Sequence, residues 1–103
     1  MLVVADDSQE YCASEVFHPS CRWGEVVVVT NATFGRMKLG RCVDANLGHL
    51  GCQSDVMGVV DRHCSGRQQC ELRVSHPDMI QHSRCYKELT QYLQAQYKCL
   101  QGI

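Results

Sequence analysis

The eight cysteines among 103 residues constrain this chain more than any other feature. An even number of cysteines along a short chain is typical of a disulfide framework, which forms in an oxidising compartment. A zinc site is disfavoured, because the sequence has no Cys-x-x-Cys pair and no local group of four cysteine and histidine ligands. We therefore expect disulfides throughout, no bound metal and an extracellular location, either secreted or in the ectodomain of a membrane protein. The cysteines are Cys12, Cys21, Cys42, Cys52, Cys64, Cys70, Cys85 and Cys99.

Length and charge restrict the class of protein further. A chain of 103 residues corresponds to one domain. Ten basic and eleven acidic residues give a net charge of −1, so we expect no attraction to nucleic acid. No apolar run approaches the ~20 residues that span a bilayer, so we expect no membrane insertion, and no cofactor is expected either. Residues 1–5 lack the charged start of a signal peptide, which suggests a piece of a longer secreted or membrane-anchored protein.

The first half of the chain contains one strong strand. Residues 1–10 are predicted to form a flexible lead-in to a single domain over residues 11–100. Residues 23–30 include four consecutive valines, which predicts a strand buried on both faces. Trp23, beside this strand, is predicted to belong to the core rather than to form a sugar-stacking platform. The glycine-punctuated residues 39–51 are predicted to form an irregular loop.

The residue patterns in the second half of the chain predict one helix and two strands. Residues 54–64 carry apolar side chains at helical spacing, and Ser54 is a suitable N-cap. Residues 70–75 and 92–99 alternate apolar and polar side chains, as half-buried strands do, with Tyr97 on the inward side. The predicted fold class is α+β. We expect a small disulfide-stapled domain of short antiparallel strands with one or two short helices and long ordered loops.

Several short motifs follow one another in the order of a known family. Residues 32–36 read Ala-Thr-Phe-Gly-Arg where that family has Ala-Asn-Tyr-Gly-Arg, and residues 64–70 match its short Cys-x-Gly-(Lys/Arg)-x-x-Cys loop. The end carries Tyr92-Leu93 followed by Tyr97-x-Cys99. With all eight cysteines in order, residues 11–99 resemble the SUEL-type, or rhamnose-binding, lectin domain. This domain also occurs in egg lectins, in the latrophilin ectodomain and at the end of some plant β-galactosidases.

The resemblance implies a disulfide pairing, which the residues alone leave open among roughly a hundred connectivities. The implied pairs are Cys12–Cys42, Cys21–Cys99, Cys52–Cys85 and Cys64–Cys70. This pairing would hold two candidate binding loops, one after the valine strand and one around Cys85, side by side.

The residues that grip sugar hydroxyls in the family are largely replaced in this chain. The family uses an acid directly after the first cysteine, the tyrosine of its Tyr-Gly-Arg loop, the aspartate of an Asp-Pro-Cys motif and a lysine just before the closing Tyr-Leu. These positions hold Ala13, Phe34, Ser83 and Gln91 here. Charged groups make the strong hydrogen bonds to polyols. The resemblance therefore implies that the fold is kept while the usual monosaccharide site is degraded.

The candidate ligand-binding residues lie on the two loops that the resemblance brings together. We expect Arg36 and Lys87 to be exposed, so that replacing either weakens partner binding and changes stability by less than about 1 kcal/mol. The basic side chains near these loops are interpreted as solvated charges rather than as a basic patch for an acidic partner. The candidate binding residues are Thr33, Phe34, Gly35, Arg36, Ser83, Arg84, Lys87 and Gln91, and the basic residues are Arg36, Lys38, Arg41, Arg84 and Lys87.

One further motif concerns modification, whereas motifs typical of catalysis are missing from the sequence. Asn31-Ala32-Thr33 is an N-glycosylation acceptor, and a glycan there is expected beside residues 34–36. No nucleophile motif or paired-carboxylate pattern occurs, so no enzymatic activity is expected. The histidines show no ligand spacing and are interpreted as surface or packing residues: His18, His49, His63, His76 and His82.

These observations predict a non-catalytic, extracellular, lectin-like recognition module. The expected partner is a glycan or glycoprotein, or else an extracellular protein. Two alternatives stay open: a protein–protein adhesion module of a receptor ectodomain, and an accessory carbohydrate-binding domain of a glycosidase. The flanking sequence of the parent gene would separate them, because a transmembrane segment indicates a receptor and a catalytic barrel indicates an enzyme.

Overall fold

The computed structural model describes residues 9–44 and 50–102. In chain order its elements are β1 (Gln9–Tyr11), β2 (Val16–Phe17), β3 (Glu25–Gly35), β4 (Gln53–Asp55), α1 (Met57–Cys64), β5 (Leu72–Arg73), α2 (Pro77–Ile80) and β6 (Tyr92–Gln101). Four strands form an antiparallel sheet in the order β1-β6-β3-β4, and β2 pairs with β5 in a second sheet. With its two short helices the fold is α+β, as predicted.

The long strand β3 pairs with β6 on one side and β4 on the other, and its valines alternate between two environments. Val27 and Val29 are buried, whereas Val26 and Val28 are only half-buried. The predicted burial on both faces was therefore wrong. The difference follows from packing, because α1 contacts β3 on the core side while the residues of the other face stay partly open to solvent.

A register shift in β3 changes which of its residues face the core. The shift lies between Val29 and Asn31 in the pairing with β6. An extra residue in one strand reverses the alternation of side chains. Val29 is buried before the shift, and Ala32 and Phe34 are buried after it. Asn31 and Thr33 consequently lie on the face of the sheet opposite to Phe34.

Trp23 lies in the turn before β3, and the prediction that it belongs to the core was wrong. The residue is 91% exposed. Gly24 has a positive φ of 88°, a conformation that glycine adopts without steric cost, and β3 begins only at Glu25. The chain turns here before it enters the sheet, and the indole is left in solvent.

The helix α1 begins later than the sequence predicted. Ser54 lies in β4, with its Oγ 3.5 Å from the backbone oxygen of Phe34, so it is not the N-cap. Val56 is the N-cap residue, and Oδ1 of Asp55 accepts a hydrogen bond from the backbone nitrogen of Met57 at 2.9 Å. Because β4 pairs with β3, its residues stay extended, and the helix begins only at Met57. The predicted apolar face of α1 is buried.

Smaller differences occur at the ends of elements. β1 includes Gln9 and Glu10, which the sequence assigned to the lead-in, and residues 1–8 lie outside the described residues. The second sheet uses only Leu72 and Arg73 of the predicted strand over residues 70–75. Tyr97 lies on the inward side, where its ring contacts Phe17 edge-on with centroids 6.0 Å apart, but it is 37% exposed. Residues 39–44 are irregular, as predicted, and residues 45–49, including His49, lie outside the described residues.

Four disulfides join these elements, and they are the same four pairs that the resemblance implies: Cys12–Cys42, Cys21–Cys99, Cys52–Cys85 and Cys64–Cys70. The Cys21–Cys99 bridge spans 78 positions and ties the start of the domain to its last strand. Cross-links over such long loops restrict the unfolded chain most. Neither helix of the described residues is long and apolar enough to cross a membrane.

Candidate functional site

A depression of about 200 Å³ lies between the end of β3, the segment before β6 and the turn between β1 and β2. Its apolar wall is formed by Ala13, Phe34, Val74, Ile80 and Leu89. Its polar lining residues are Ser75, Lys87, Thr90 and Gln91, and no acidic side chain of the described residues lines it. We call this depression the apolar pocket. It brings together Ala13, Phe34 and Gln91, which stand at three of the four sugar-contacting positions that the resemblance implies.

Phe34 is held rigidly in the wall of the apolar pocket. It is 1% exposed and lies on the core-facing side of β3. Its backbone pairs with Leu93 of β6 and with Ser54 of β4. Strand neighbours on both sides therefore position the ring, which offers an apolar surface without the hydroxyl of a tyrosine.

Gly35 permits a close approach between β3 and the chain at Cys52. A Cβ added to Gly35 would collide with the backbone oxygen of Cys52 and would lie 2.7 Å from the Cα of Gln53. The next residue, Arg36, donates its backbone N–H to the same oxygen at 2.9 Å and accepts a hydrogen bond from Gly51 at 2.7 Å. The loop after β3 is thereby fastened to the segment that carries the Cys52–Cys85 disulfide.

Arg36 is 3% exposed, so the expectation that its side chain is exposed was wrong. Its Nη1 donates a hydrogen bond to the backbone oxygen of Thr90 at 2.7 Å. The side chain lines a neighbouring depression of about 250 Å³ together with Glu88 and Leu89. The fold thus uses the guanidinium to connect two loops, because a buried cation needs hydrogen-bond partners.

Gln91 and Ser83 are joined to each other beside the apolar pocket. Gln91 is 6% exposed, and its Oε1 accepts a hydrogen bond from Oγ of Ser83 at 2.5 Å. The same Oγ accepts a hydrogen bond from the backbone nitrogen of Cys85 at 3.1 Å. At the positions where the family has an aspartate and a lysine, this chain has two neutral groups whose hydrogen bonds are made internally.

The remaining candidate residues are distributed over three places. Lys87 is exposed, as predicted, and lines the apolar pocket. Arg84 is exposed and lines a separate depression beside Tyr86 and the Cys52–Cys85 disulfide. Thr33 faces the opposite side of the sheet, where it lies across from Gln94. The structure therefore does not bring Thr33 or Arg84 into the apolar pocket.

Two of the basic side chains near the loops lie beside acidic residues. Nζ of Lys38 lies 3.8 Å from Glu10. Arg41 forms an ion pair of 2.7 Å with Glu15, and this hydrogen bond lowers the pKa of Glu15 to about 2. The interpretation as solvated charges was wrong for Arg36, which is buried, whereas Lys38 and Arg41 are exposed and each lies beside an acidic residue.

Burial perturbs one phenol beside this region. Tyr92 is buried, and desolvation raises the pKa of its hydroxyl above the ordinary value. The hydroxyl oxygen accepts a hydrogen bond from the backbone nitrogen of Lys38 at 3.2 Å. Burial therefore makes the hydroxyl harder to ionise, and its hydrogen bond with Lys38 holds the loop after β3.

Sequence reasoning did not find the apolar wall of the pocket. Val74, Ile80 and Leu89 come from three separate segments and carry no common local motif. Each one reads as an ordinary core residue when its segment is considered alone. A signal for the pocket could only have come from knowing which segments meet.

A family model described as the D-galactoside/L-rhamnose binding SUEL lectin domain matches residues 19–99. No curated protein matches the chain. The match begins before β3 and ends within β6, and it includes every lining residue of the apolar pocket except Ala13.

Proposed function

The chain belongs to the SUEL lectin domain family, and on this premise we propose that it is a non-catalytic extracellular recognition module whose pocket does not bind rhamnose or galactose in the family's usual way. The observation that carries the proposal is the composition of the apolar pocket. It is lined by Ala13, Phe34 and Gln91, three of the four positions that the resemblance implies for sugar contact, yet among the described residues it has no acidic lining. The four disulfides support an extracellular setting.

A sugar in the apolar pocket would lose several of the hydrogen bonds that it makes in the family's usual site. Ala13 cannot accept a hydrogen bond from a sugar hydroxyl through its side chain, and Phe34 has lost the phenol oxygen. The amide oxygen of Gln91 is already bonded to Ser83. A hydrogen bond to a charged group is worth about 1.5–3 kcal/mol. The absence of two or three such bonds is sufficient to suppress a weak monosaccharide site.

An interaction with a protein partner is the second candidate function, as an adhesion module of a receptor ectodomain. Two observations favour it: five apolar residues line the pocket, and the nearby Tyr86 is 74% exposed. Exposed aromatic side chains are enriched at protein interfaces. An accessory carbohydrate-binding domain of a glycosidase is the third candidate, which the flanking gene sequence would identify.

The direct test is an NMR titration of the ¹⁵N-labelled domain with L-rhamnose and with D-galactose. We expect no saturable shift of the amides of Phe34, Lys87 or Gln91. A glycan array would then search for more complex ligands. Saturable binding of either monosaccharide at millimolar concentration or tighter would contradict the proposal.

A gain-of-function variant makes the test sharper. The combined substitutions Ala13→Glu, Phe34→Tyr, Ser83→Asp and Gln91→Lys restore the groups that the resemblance implies for a sugar site. We expect this variant to bind a monosaccharide at the apolar pocket. Gln81→Lys, at an exposed position, is the control for added charge. A folded quadruple variant without binding would show that the pocket does not correspond to the family's site.

We also propose that Asn31 carries an N-linked glycan. Asn31 is exposed, and it lies on the sheet face opposite to Phe34. A glycan there would leave the apolar pocket open, in contrast to the expectation that it would sit beside residues 34–36. Expression in a secretory host should give a mass increase that Asn31→Gln abolishes, and an unmodified wild-type protein would contradict this.

A further inference from the structure

Two histidines and an aspartate meet where α1 and α2 approach each other. His63 lies in the last turn of α1, His76 is the N-cap of α2, and Asp78 lies in the first turn of α2. One nitrogen of each imidazole and one carboxylate oxygen all lie within 4.8 Å of one another. The sequence interpretation of these histidines as surface or packing residues missed the cluster, because thirteen or more positions separate His63 from its neighbours.

We propose that His63, His76 and Asp78 form a binding site for Zn²⁺, with water completing the coordination. Nε2 of His63 lies 3.1 Å from Oδ2 of Asp78, and Nδ1 of His76 lies 3.9 Å from the same oxygen. With metal–ligand distances of about 2.0–2.2 Å in a tetrahedral site, neighbouring ligand atoms are about 3.4 Å apart. The two separations lie on either side of that value, so small side-chain rotations suffice. Imidazole and carboxylate are ligands that Zn²⁺ accepts.

The hydrogen bonds of the cluster indicate which imidazole nitrogens carry protons before an ion binds. Nδ1 of His76 accepts a hydrogen bond from the backbone nitrogen of Asp78 at 3.0 Å, so this nitrogen carries no proton. Binding of Zn²⁺ replaces that hydrogen bond. Nε2 of His63 lies within hydrogen-bonding distance of Asp78; on coordination the neutral ring carries its proton on Nδ1 instead.

One cation competes for the carboxylate. Nη2 of Arg62 lies 3.3 Å from Oδ2 of Asp78, but its side chain is 64% exposed and can turn into solvent. The three ligand side chains are each about one-third exposed, so an ion and its water can enter from outside. The supporting backbone is restrained, because α1 buries Val59 and Val60 and ends in the Cys64–Cys70 disulfide.

Zn²⁺ bound at this site would restrain one wall of the apolar pocket. Val74, Ser75 and Ile80 line that pocket, and His76 and Asp78 belong to the same short segment. A metal ion that bridges this segment to α1 would therefore restrict the movement of the wall. The Zn²⁺ proposal itself does not depend on the ligand of the pocket, so either proposal can fail without the other.

The experiment is isothermal titration of the metal-free domain with Zn²⁺, together with thermal unfolding with and without excess EDTA. We expect one ion per chain and a rise in the unfolding temperature that EDTA reverses, since a ligand that binds the folded state stabilises it. Long-range ¹H–¹⁵N spectra of the imidazoles should show zinc-dependent shifts at Nε2 of His63 and Nδ1 of His76. Absence of binding at Zn²⁺ well above the protein concentration would overturn the proposal.

Two conservative variants separate coordination from structure. His63→Gln keeps a nitrogen that can donate to Asp78, and His76→Asn keeps an acceptor for the backbone nitrogen at an N-cap, where asparagine is favoured. Each should remain folded and lose Zn²⁺ affinity by on the order of tenfold or more. His18→Gln is the matched control, because His18 lies outside the cluster beside Glu71. Wild-type affinity in both variants would place any bound zinc elsewhere and refute the assignment.

Discussion

Nη1 of Arg36 donates a hydrogen bond of 2.7 Å to the backbone oxygen of Thr90, which lies 54 positions further along the chain. This contact joins the loop after β3 to the segment before β6. Thr90 lines the apolar pocket on one side and the depression that contains Arg36 on the other. The arginine of the family motif therefore sets the distance between the two loops that border the pocket.

The first prediction is that Arg36→Ala destabilises the domain. Removal of a buried charged donor leaves the Thr90 oxygen without that partner, and such hydrogen bonds are worth about 1.5–3 kcal/mol. This replaces the expectation of less than about 1 kcal/mol, which assumed an exposed side chain. Denaturant unfolding measures the change. Arg84→Ala is the control at an exposed position, and equal stability of the two variants would contradict the structural role of Arg36.

The second prediction concerns the close approach at Gly35. Gly35→Ala should destabilise the domain by about 1–3 kcal/mol, because the added Cβ forces the backbone away from Cys52. The matched control is Gly58→Ala in α1, where a Cβ meets nothing within 4 Å. Alanine is favoured over glycine in a helix by up to about 1 kcal/mol, so the control should be neutral or stabilised. Thermal unfolding of both variants is the measurement, and a stable Gly35→Ala protein would refute the contact.

The third prediction is a pH dependence from the ion pair of Glu15 and Arg41. The hydrogen bond from Arg41, followed by one from the backbone nitrogen of Cys12, lowers the pKa of Glu15 to about 2 from an ordinary 4.5. The ionised form is thus favoured in the folded state. Its stabilising effect is present above pH 4.5 and is lost as the pH falls toward 2.

An NMR titration of the Glu15 carboxyl group checks this directly. The difference in unfolding free energy between the wild type and Glu15→Gln should shrink as the pH falls through this range. Added salt should weaken the effect, because both side chains are substantially exposed. A Glu15 carboxyl that titrates near its ordinary pKa would rule out the ion pair in solution.

The fourth prediction concerns the single tryptophan of the chain. Since Trp23 is 91% exposed, its fluorescence should resemble that of tryptophan in water and should be readily quenched by iodide. Trp23→Ser should change stability by less than about 0.5 kcal/mol. Phe17→Ala, at a fully buried position, should cost about 3–5 kcal/mol. A blue-shifted emission that iodide does not quench would show that Trp23 is buried and would contradict this prediction.

Local sequence patterns predicted which helices and strands form better than they predicted the residues at which these elements begin and end. The valine run indicated β3 and the alternation after Gln91 indicated β6, because side-chain periodicity follows directly from strand geometry. The start of α1 and the inversion of faces in β3 were not predictable in this way. Both depend on which strand lies alongside, and the register shift at Asn31 has no signature in the residues themselves.

By itself the sequence determined that the chain is a small cross-linked α+β domain, and through its motifs it indicated the lectin family and the loss of charged groups at Ala13, Ser83 and Gln91. These are properties of residue identity and order. Only the tertiary structure decided that Arg36 is buried, that three distant apolar residues wall the pocket, and that His63 meets Asp78. The physical reason is that burial and clustering arise from contacts between segments far apart in the chain, which no local periodicity encodes.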